Sequence, residues 1–349
     1  MLKYNYLIKY NNKLFIMNQT FLNHIKISVF CSIFLSFSVI AQTVTDTVAF
    51  IHITDTHICN LHPYNTTLQN KRKHIGEGFR PFTNFLDSVP RYIKSDFIVI
   101  TGDMVDLYDG ESLTGNMLDT QVEQFVKLLD NSHVPVYMTL GNHDISSYWS
   151  TSDSTYTWDQ FKVGEARAAW IRNASCFRNG TYYSRILKVG TTTYRLIFLD
   201  NSYYSPTRNE DKIPYVVDQT QLFWLDNELK ASDNDVELIF MHIPLLNGLV
   251  DQENPVLEVN KLDYAGGLFD ILGKNRSVRI IFAGHKHRHL IYEYKFSDTY
   301  SLINLETGCF GRLTESKKWR LIKLTADNII ISKPGEETNE FILPVENKK

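Results

Sequence analysis

The sequence has 349 residues, 36 Lys and Arg against 39 Asp and Glu, and a formal charge of −3. That balance offers no basic field for nucleic acid, and the length suits one large α/β domain with a well-buried core. Once Cys31 is assigned to a leader, Cys59, Cys176 and Cys309 remain, an odd number with no paired spacing. One disulfide is the most they can form, and three ordinary thiols is the other reading.

Residues 1–41 contain Lys3, Lys9, Lys13 and Lys26, no acid, and a closing apolar run over 27–41. A run this short behind a lysine, ending in Val39 and Ala41, predicts a secretory signal peptide cut before Gln42 rather than a membrane anchor. Met17 is an alternative start. The mature chain, 42–349, is then a single periplasmic or secreted domain without a stable membrane span. It is more acidic than the whole, because the leader removes four lysines.

The run 48–54 predicts a strand that delivers Asp55 and His57 at its end. Asp and His two apart in an extended segment point to the same side, so both can reach one metal ion. A polar loop with Lys71-Arg72-Lys73 follows, read first as solvated surface and otherwise as a contact for substrate phosphate. From Pro81, Phe82, Phe85, Leu86 and Val89 fall at helical spacing and predict a crossover helix. It leads to a strand over 97–100 and then to Thr101-Gly102-Asp103-Met104-Val105-Asp106. Gly102 permits a tight turn, and Asp103 sits where one carboxylate could bridge two cations. A second helix, with Val122, Phe125, Val126 and Leu129 on one face, returns the chain to a strand over 134–140. That strand ends in Gly141-Asn142-His143-Asp144. The alternation of strands and helices argues for a parallel sheet with right-handed crossovers and ligands at the strand carboxyl ends.

Residues 145–180 are rich in Ser, Thr, Tyr and Trp. They read either as a wall of a pocket, with Tyr148 and Trp149 nearest the tetrapeptide, or as a loop packed by its own aromatics. Runs over 182–189 and 193–199, joined through Gly190, predict a hairpin that starts a second sheet. Tyr203 and Tyr204, beyond it, could stack a base or a sugar if they converge on the same pocket. Asp218 with Gln221 caps a helix bearing Leu222, Leu225 and Leu229. Strands over 236–241 and 278–283 end in His242 and in Gly284-His285-Lys286-His287. Runs over 290–296, 300–305, 319–324 and 328–332 read as consecutive antiparallel strands completing the second sheet. His52, His62 and His74 read as structural or solvated, and His289 as an outer-sphere residue.

One strand-end histidine is usually a satisfied turn residue. Five strands with such ends are a different matter. Asp55, His57, Asp103, Asn142, His242, His285 and His287 form a mixed oxygen and nitrogen donor set suited to two divalent ions such as Mn, Zn or Fe. The lack of cysteine in the set argues against a closed structural zinc site.

The ordered signature Asp55-x-His57, Gly102-Asp103-x-x-Asp106, Gly141-Asn142-His143-Asp144, a lone His242 and Gly284-His285-x-His287 resembles the calcineurin-like metallophosphoesterases. The opening motif and the Gly-Asn-His-Asp form are most similar to bacterial cyclic-nucleotide phosphodiesterase-like members. That resemblance implies a four-layer α/β/β/α sandwich of two mixed sheets, with the metal site at strand carboxyl ends. It also implies a hydrolase for small phosphate mono- or diesters. By motif, Asp55, His57 and His287 hold one ion, Asn142, His242 and His285 hold the other, and Asp103 bridges them. His143 is the implied general acid, with Asp106 fixing its tautomer and raising its pKa, while Asp144 supports the loop. Two cations roughly 3.5–4 Å apart can clamp a phosphoryl group and activate water for in-line attack on phosphorus.

Leu107 stands where protein Ser/Thr phosphatases carry Arg, and Asp106 where purple acid phosphatases carry a ligand tyrosine, so both classes are set aside. Export fits poorly with intracellular cyclic nucleotides, which leaves exported nucleotides, sugar phosphates and phospholipid head groups beside them. Two alternatives are a secreted metal-binding module without hydrolysis and a nuclease of the same superfamily. The complete motif set disfavours the first, and the missing basic groove disfavours the second.

Overall fold

Apolar β-branched and aromatic runs bury both faces of a strand, and the longest such runs supply the centre of two sheets. The computed structural model describes residues 45–75, 78–152, 155–202, 217–232, 234–245, 265–312 and 317–345. The expected leader and Tyr203 and Tyr204 lie outside these residues. In chain order the first half runs β1 (Thr47–Ile53), α1 (Thr66–Arg72), α2 (Phe79–Ile93), β2 (Phe97–Thr101), β3 (Asp109–Glu111), β4 (Met117–Leu118), α3 (Gln121–Leu128), β5 (Val136–Thr139), β6 (Ser147–Ser152), β7 (Thr155–Asp159) and α4 (Val163–Asn173). The second half runs β8 (Tyr183–Val189), β9 (Thr192–Phe198), α5 (Gln219–Ala231), β10 (Val236–Phe240), α6 (Ala265–Lys274), β11 (Val278–Ala283), β12 (Leu290–Ser297), β13 (Tyr300–Glu306), β14 (Arg320–Thr325), β15 (Asn328–Ser332) and β16 (Asn339–Pro344).

The first sheet has the order β16-β15-β14-β1-β2-β5, and the second β12-β13-β11-β10-β9-β8. Both are mixed. β1, β2 and β5 are parallel, as are β9, β10, β11 and β13, with antiparallel strands outside them. The sheets pack face to face through aromatic rings. Phe50 of β1 lies edge-on to Phe240 (5.7 Å) and Phe282 (5.6 Å) of the second sheet. Each such buried ring contributes about 1.5–3 kcal/mol.

Helices cover the outer faces. Phe82, Phe85 and Leu86 of α2 and Phe125 of α3 pack on the first sheet. Leu222, Leu225 and Leu229 of α5 and Leu268 and Leu272 of α6 pack on Ile239 and Ile281 of the second. The four-layer arrangement expected from the sequence is therefore present. The cap on α5 is there too, with Asp218 Oδ1 accepting the Gln221 amide at 2.9 Å.

Three features differ from expectation. The runs over 319–324 and 328–332 do not complete the second sheet. As β14 and β15 they add, with β16, to the free edge of β1, where Phe50 pairs with Ile322. Strand β1 enters the sheet with only one edge taken by β2, and the last strands satisfy the other. Residues 145–180 are not one loop. β6 and β7 join β3 and β4 in a small third sheet, and α4 follows. The polar stretch before α2 holds a short helix, α1, whose cap is Asn65 Oδ1 accepting the Leu68 amide at 2.8 Å. Cys59, Cys176 and Cys309 are all buried and free. Among the described residues, no helix is long and apolar enough to cross a membrane.

Candidate metal centre

Strands β1, β2 and β5 of one sheet and β10 and β11 of the other end at the same place. Just beyond them, Asp55, His57, Asp103, His285 and His287 all have positive φ, between 44° and 68°. A left-handed backbone costs a residue with a Cβ about 1–3 kcal/mol, and such outliers collect where side-chain aim matters more than local comfort. The loops are also tied to one another. Asp55 N donates to Gly102 O (3.0 Å), His57 N to Asp103 O (2.9 Å) and Gly284 N to His242 O (3.0 Å).

Two glycines make this convergence sterically possible. A Cβ on Gly141 would lie 2.2 Å from Asp103 N, and one on Gly284 would lie 1.9 Å from Thr54 Oγ1 and 2.5 Å from Asp55 Oδ2. Asp144 is buried beside them. Its carboxylate accepts Val105 N (2.9 Å) and Gly141 N (2.7 Å), tying two of the loops together as expected.

All seven candidate ligands meet. His242 Nε2 lies 3.1 Å from Asp103 Oδ2, and His57 Nε2 lies 3.8 Å from the same oxygen. His287 Nε2 is 3.1 Å from Asp55 Oδ1 and 3.2 Å from His57 Nε2. His285 Nδ1 is 3.0 Å from Asn142 Oδ1. His242 Nδ1 donates to the Thr101 carbonyl at 2.8 Å, which leaves Nε2 as the nitrogen that could bind a metal ion. That Nε2 is buried and makes no hydrogen bond. An orphaned imidazole nitrogen among buried carboxylate, amide and imidazole groups fits a divalent cation.

The electrostatics point the same way. Burial pushes the Asp103 carboxyl up, but the imidazoles of His242, His143 and His57 hold it well below the usual carboxylate range. Burial likewise opposes the charge on Asp55, and the neighbouring His287 overrides it. In return, against the downward pull of burial, Asp103 lifts His242 to about 9 and Asp55 lifts His287 to about 11. Buried carboxylates that favour positive charge beside them this strongly suit a bound cation.

The decisive comparison is with the family model for calcineurin-like phosphoesterases, which matches residues 48–289. This chain belongs to that family. It is a hydrolase of phosphoesters, and its strand-end residues could bind metal. Among solved structures, the phosphoesterase is similar to a dimetal phosphatase from Danio rerio, at 15% identity and a TM-score of 0.57, over 86% of this chain and 99% of that one. It is also similar to GAP50, the anchor in the inner membrane complex of Plasmodium, at 13% identity and a TM-score of 0.50, over 87% and 90%. At these identities the likeness concerns the fold. A search of curated proteins gave no match.

Two expectations for this phosphoesterase need correction. The Asp106 carboxylate does not bind His143, whose Nδ1 lies 3.8 Å from it. Instead Nδ1 donates to the Asp106 backbone carbonyl at 2.8 Å, because the carboxylate is held by Arg72 and turned toward His57, whose Nδ1 lies 3.1 Å away. Nor is the His143 pKa raised. Burial takes it down to about 4, outweighing the upward pull of Asp103 and Asp106.

Of the two aromatics read as a possible pocket wall, Tyr148 does lie at the site, while Cys309 is a member that sequence reasoning missed. The Tyr148 hydroxyl is 3.0 Å from His143 Nδ1, and the two rings stack at 6.0 Å. Trp149, one residue on, packs instead on Phe161. The Cys309 thiol donates to the Asp55 carbonyl at 3.3 Å, and its sulfur and one nitrogen each of His57 and His287 lie within 4.8 Å of one another. Its position three residues past β13 was the available signal. His52, by contrast, is structural as expected, buried between the hydroxyls of Thr101 and Thr307 at 2.9 Å each.

Proposed function

We propose that this phosphoesterase is an exported enzyme that hydrolyses a small phosphate mono- or diester with two divalent ions held between its sheets. Asp55, His57 and His287 would hold one ion, and Asn142, His242 and His285 the other. The observation that carries this reading is Asp103 Oδ2, which lies 3.1 Å from His242 Nε2 and 3.8 Å from His57 Nε2, between the two groups. A donor set of carboxylate, amide and imidazole suits Mn, Zn or Fe. When bound, such ions neutralise phosphoryl oxygens and make hydroxide accessible near neutral pH.

The remaining work falls to the protein. His143 has its Nδ1 hydrogen engaged by the Asp106 carbonyl, so Nε2 is the nitrogen left for the leaving group; with burial taking the ring's pKa to about 4, it would act as the acid in its imidazolium form, which the negative charge of a bound phosphoester favours. Its backbone amide donates to Asp103 Oδ1 at 2.8 Å, which fixes the ring's loop to the carboxylate between the two ligand groups. The apolar run 27–41 supports export.

The test is turnover of Mn- or Zn-loaded protein on phosphate esters that differ in leaving group, beside His143→Ala. On alkyl esters the variant should lose roughly 10²–10⁴-fold in kcat, and far less on para-nitrophenyl esters, whose leaving group needs no proton. Equal losses on both would remove His143 from the acid role. No turnover with any metal, despite bound ions, would leave a non-hydrolytic binding module. For export, the expected first residue of the mature protein is Gln42, and an uncut start at Met1 or Met17 overturns it.

A further inference from the structure

Arg72 closes α1 in the middle of Lys71-Arg72-Lys73, a run that reads as solvated surface. Lys71 and Lys73 are indeed exposed. The Arg72 side chain, only 13% exposed, turns inward to Asp106. Its Nε donates to Oδ2 at 2.8 Å and its Nη2 to Oδ1, the two-pronged geometry that a guanidinium offers and an ammonium does not. The Asp106 side chain is fully buried, and its Oδ1 also lies 3.1 Å from Nδ1 of His57, a buried nitrogen that makes no other contact of hydrogen-bond kind among the described residues and no fully aligned bond here. The other nitrogen of that ring, Nε2, faces His287 Nε2 at 3.2 Å and carboxylate oxygens of Asp55 and Asp103 at 3.8 Å each.

We propose that Arg72 is a positioning residue of the metal centre: it fixes the Asp106 carboxylate, which takes the His57 Nδ1 hydrogen and so presents Nε2 as the ligand atom. The proposal rests on the metal-dependent reading above. A ligand histidine needs its outer nitrogen hydrogen-bonded to set its tautomer and ring orientation, and a carboxylate there also raises its strength as a donor. That carboxylate must itself be held, because a buried anion without a partner shifts, hydrates or protonates. Within the described residues, Arg72 supplies the hold from a segment that lies between the first two ligand motifs and belongs to neither. Its helix does not depend on the ion pair for docking. Asn65 caps it, and Leu68 is buried in a cluster with Leu61, Tyr64, Leu107 and Tyr148.

The experiment titrates metal-stripped protein with Zn or Mn against a chromogenic chelator. It compares wild type with Arg72→Met, Arg72→Lys, Asp106→Asn and the double variant Arg72→Met/Asp106→Asn. Arg72→Met should weaken the ion bound through His57 by roughly 10–100-fold, the usual effect of losing an outer partner, and leave the second ion unchanged. Arg72→Lys should recover only part of that loss. In the Asp106→Asn background, Arg72→Met should have no further effect, since the arginine acts through the carboxylate. The nitrogen-15 signals of the His57 ring in Zn-loaded protein should report Nδ1 protonated in wild type and a tautomer mixture in Arg72→Met.

Wild-type affinity for both ions in Arg72→Met overturns the proposal. So does an equal loss at both, or an additive loss in the double variant, because either marks a general loosening of the fold. If Arg72→Met fails to fold, Arg72→Lys and the double variant, which keeps no unpaired buried anion, carry the same comparison. A wild-type protein that binds no divalent ion overturns the metal reading itself, and the proposal with it.

Discussion

The two sheets bring different chemistry to the same point. Strands β1, β2 and β5 of the first end in Asp55, His57, Asp103 and Asn142, which are mostly oxygen donors. Strands β10 and β11 of the second end in His242, His285 and His287, which are nitrogen donors alone. Two of the buried carboxylates on one side are kept ionised chiefly by an imidazole from the other, Asp103 by His242 and Asp55 by His287. Each half of the centre offsets the charge of the other. The first sheet alone would bury unpaired anions, and the second alone would lose the charge that keeps its rings oriented. The centre is thus a property of the interface between the sheets, and Phe50, Phe240 and Phe282 set its width.

The strongest way to break this division is to remove charge from the oxygen side while keeping shape. Asp103→Asn should lose both ions and on the order of 10³-fold in kcat, the upper end of the cost of deleting one charge-stabilising group. Metal content of the purified variant and its turnover on para-nitrophenyl phosphate are the readouts. Full occupancy in Asp103→Asn would show that the two halves are held by something other than this carboxylate. A second way leaves every donor in place and loosens the spacing. Phe240 stacks on Phe198 (4.8 Å) and Phe282 (4.9 Å) and meets Phe50 across the sheets, so Phe240→Ala should cost about 3–5 kcal/mol in urea unfolding. Metal affinity should fall with it. Unchanged affinity in a destabilised variant would separate the centre from the core beneath it.

The donors were legible in the sequence because each follows an uninterrupted apolar run, so one short-range rule, polar residues at a strand's end, finds them all. Cys309 also follows a strand closely, but it was weighed only with Cys59 and Cys176 as an ordinary thiol or a disulfide partner. What was not legible is set at long range. Alternation of apolar residues tells which face of a strand is buried and not which edge is paired, so β14 and β15 read as a continuation of the second sheet when they pair with β1. The Asp106 carboxylate was expected on His143, its nearest partner by motif. The side chain that claims it, Arg72, lies 34 residues away in a stretch whose composition reads as surface. The small third sheet was hidden for another reason. Its strands, such as Asp109–Glu111 and Met117–Leu118, are too short to show any period.

The smallest expected effect sharpens the same contrast from the second sheet, which buries a carboxylate that no cation accompanies among the described residues. Glu237 of β10 is fully buried, and burial pushes its pKa to about 7 against the weaker pull of hydroxyls from Ser232 and Ser277. Its folded-state pKa lies above the ordinary 4.5. Between those values the folded chain therefore binds a proton that the unfolded chain has lost. The associated stability is fully present below about pH 4.5 and disappears as pH rises through about 7. Glu237→Gln keeps the shape and removes the charge. It should leave stability unchanged near pH 4.5 and raise it at pH 8 by about 1–3 kcal/mol, read from urea unfolding at both values. A variant no more stable than wild type at pH 8 would mean that Glu237 is accommodated as an anion, as Asp55 and Asp103 are. Buried charge would then be tolerated equally by both sheets, and the imidazoles at the strand ends would not be what distinguishes the carboxylates of the centre.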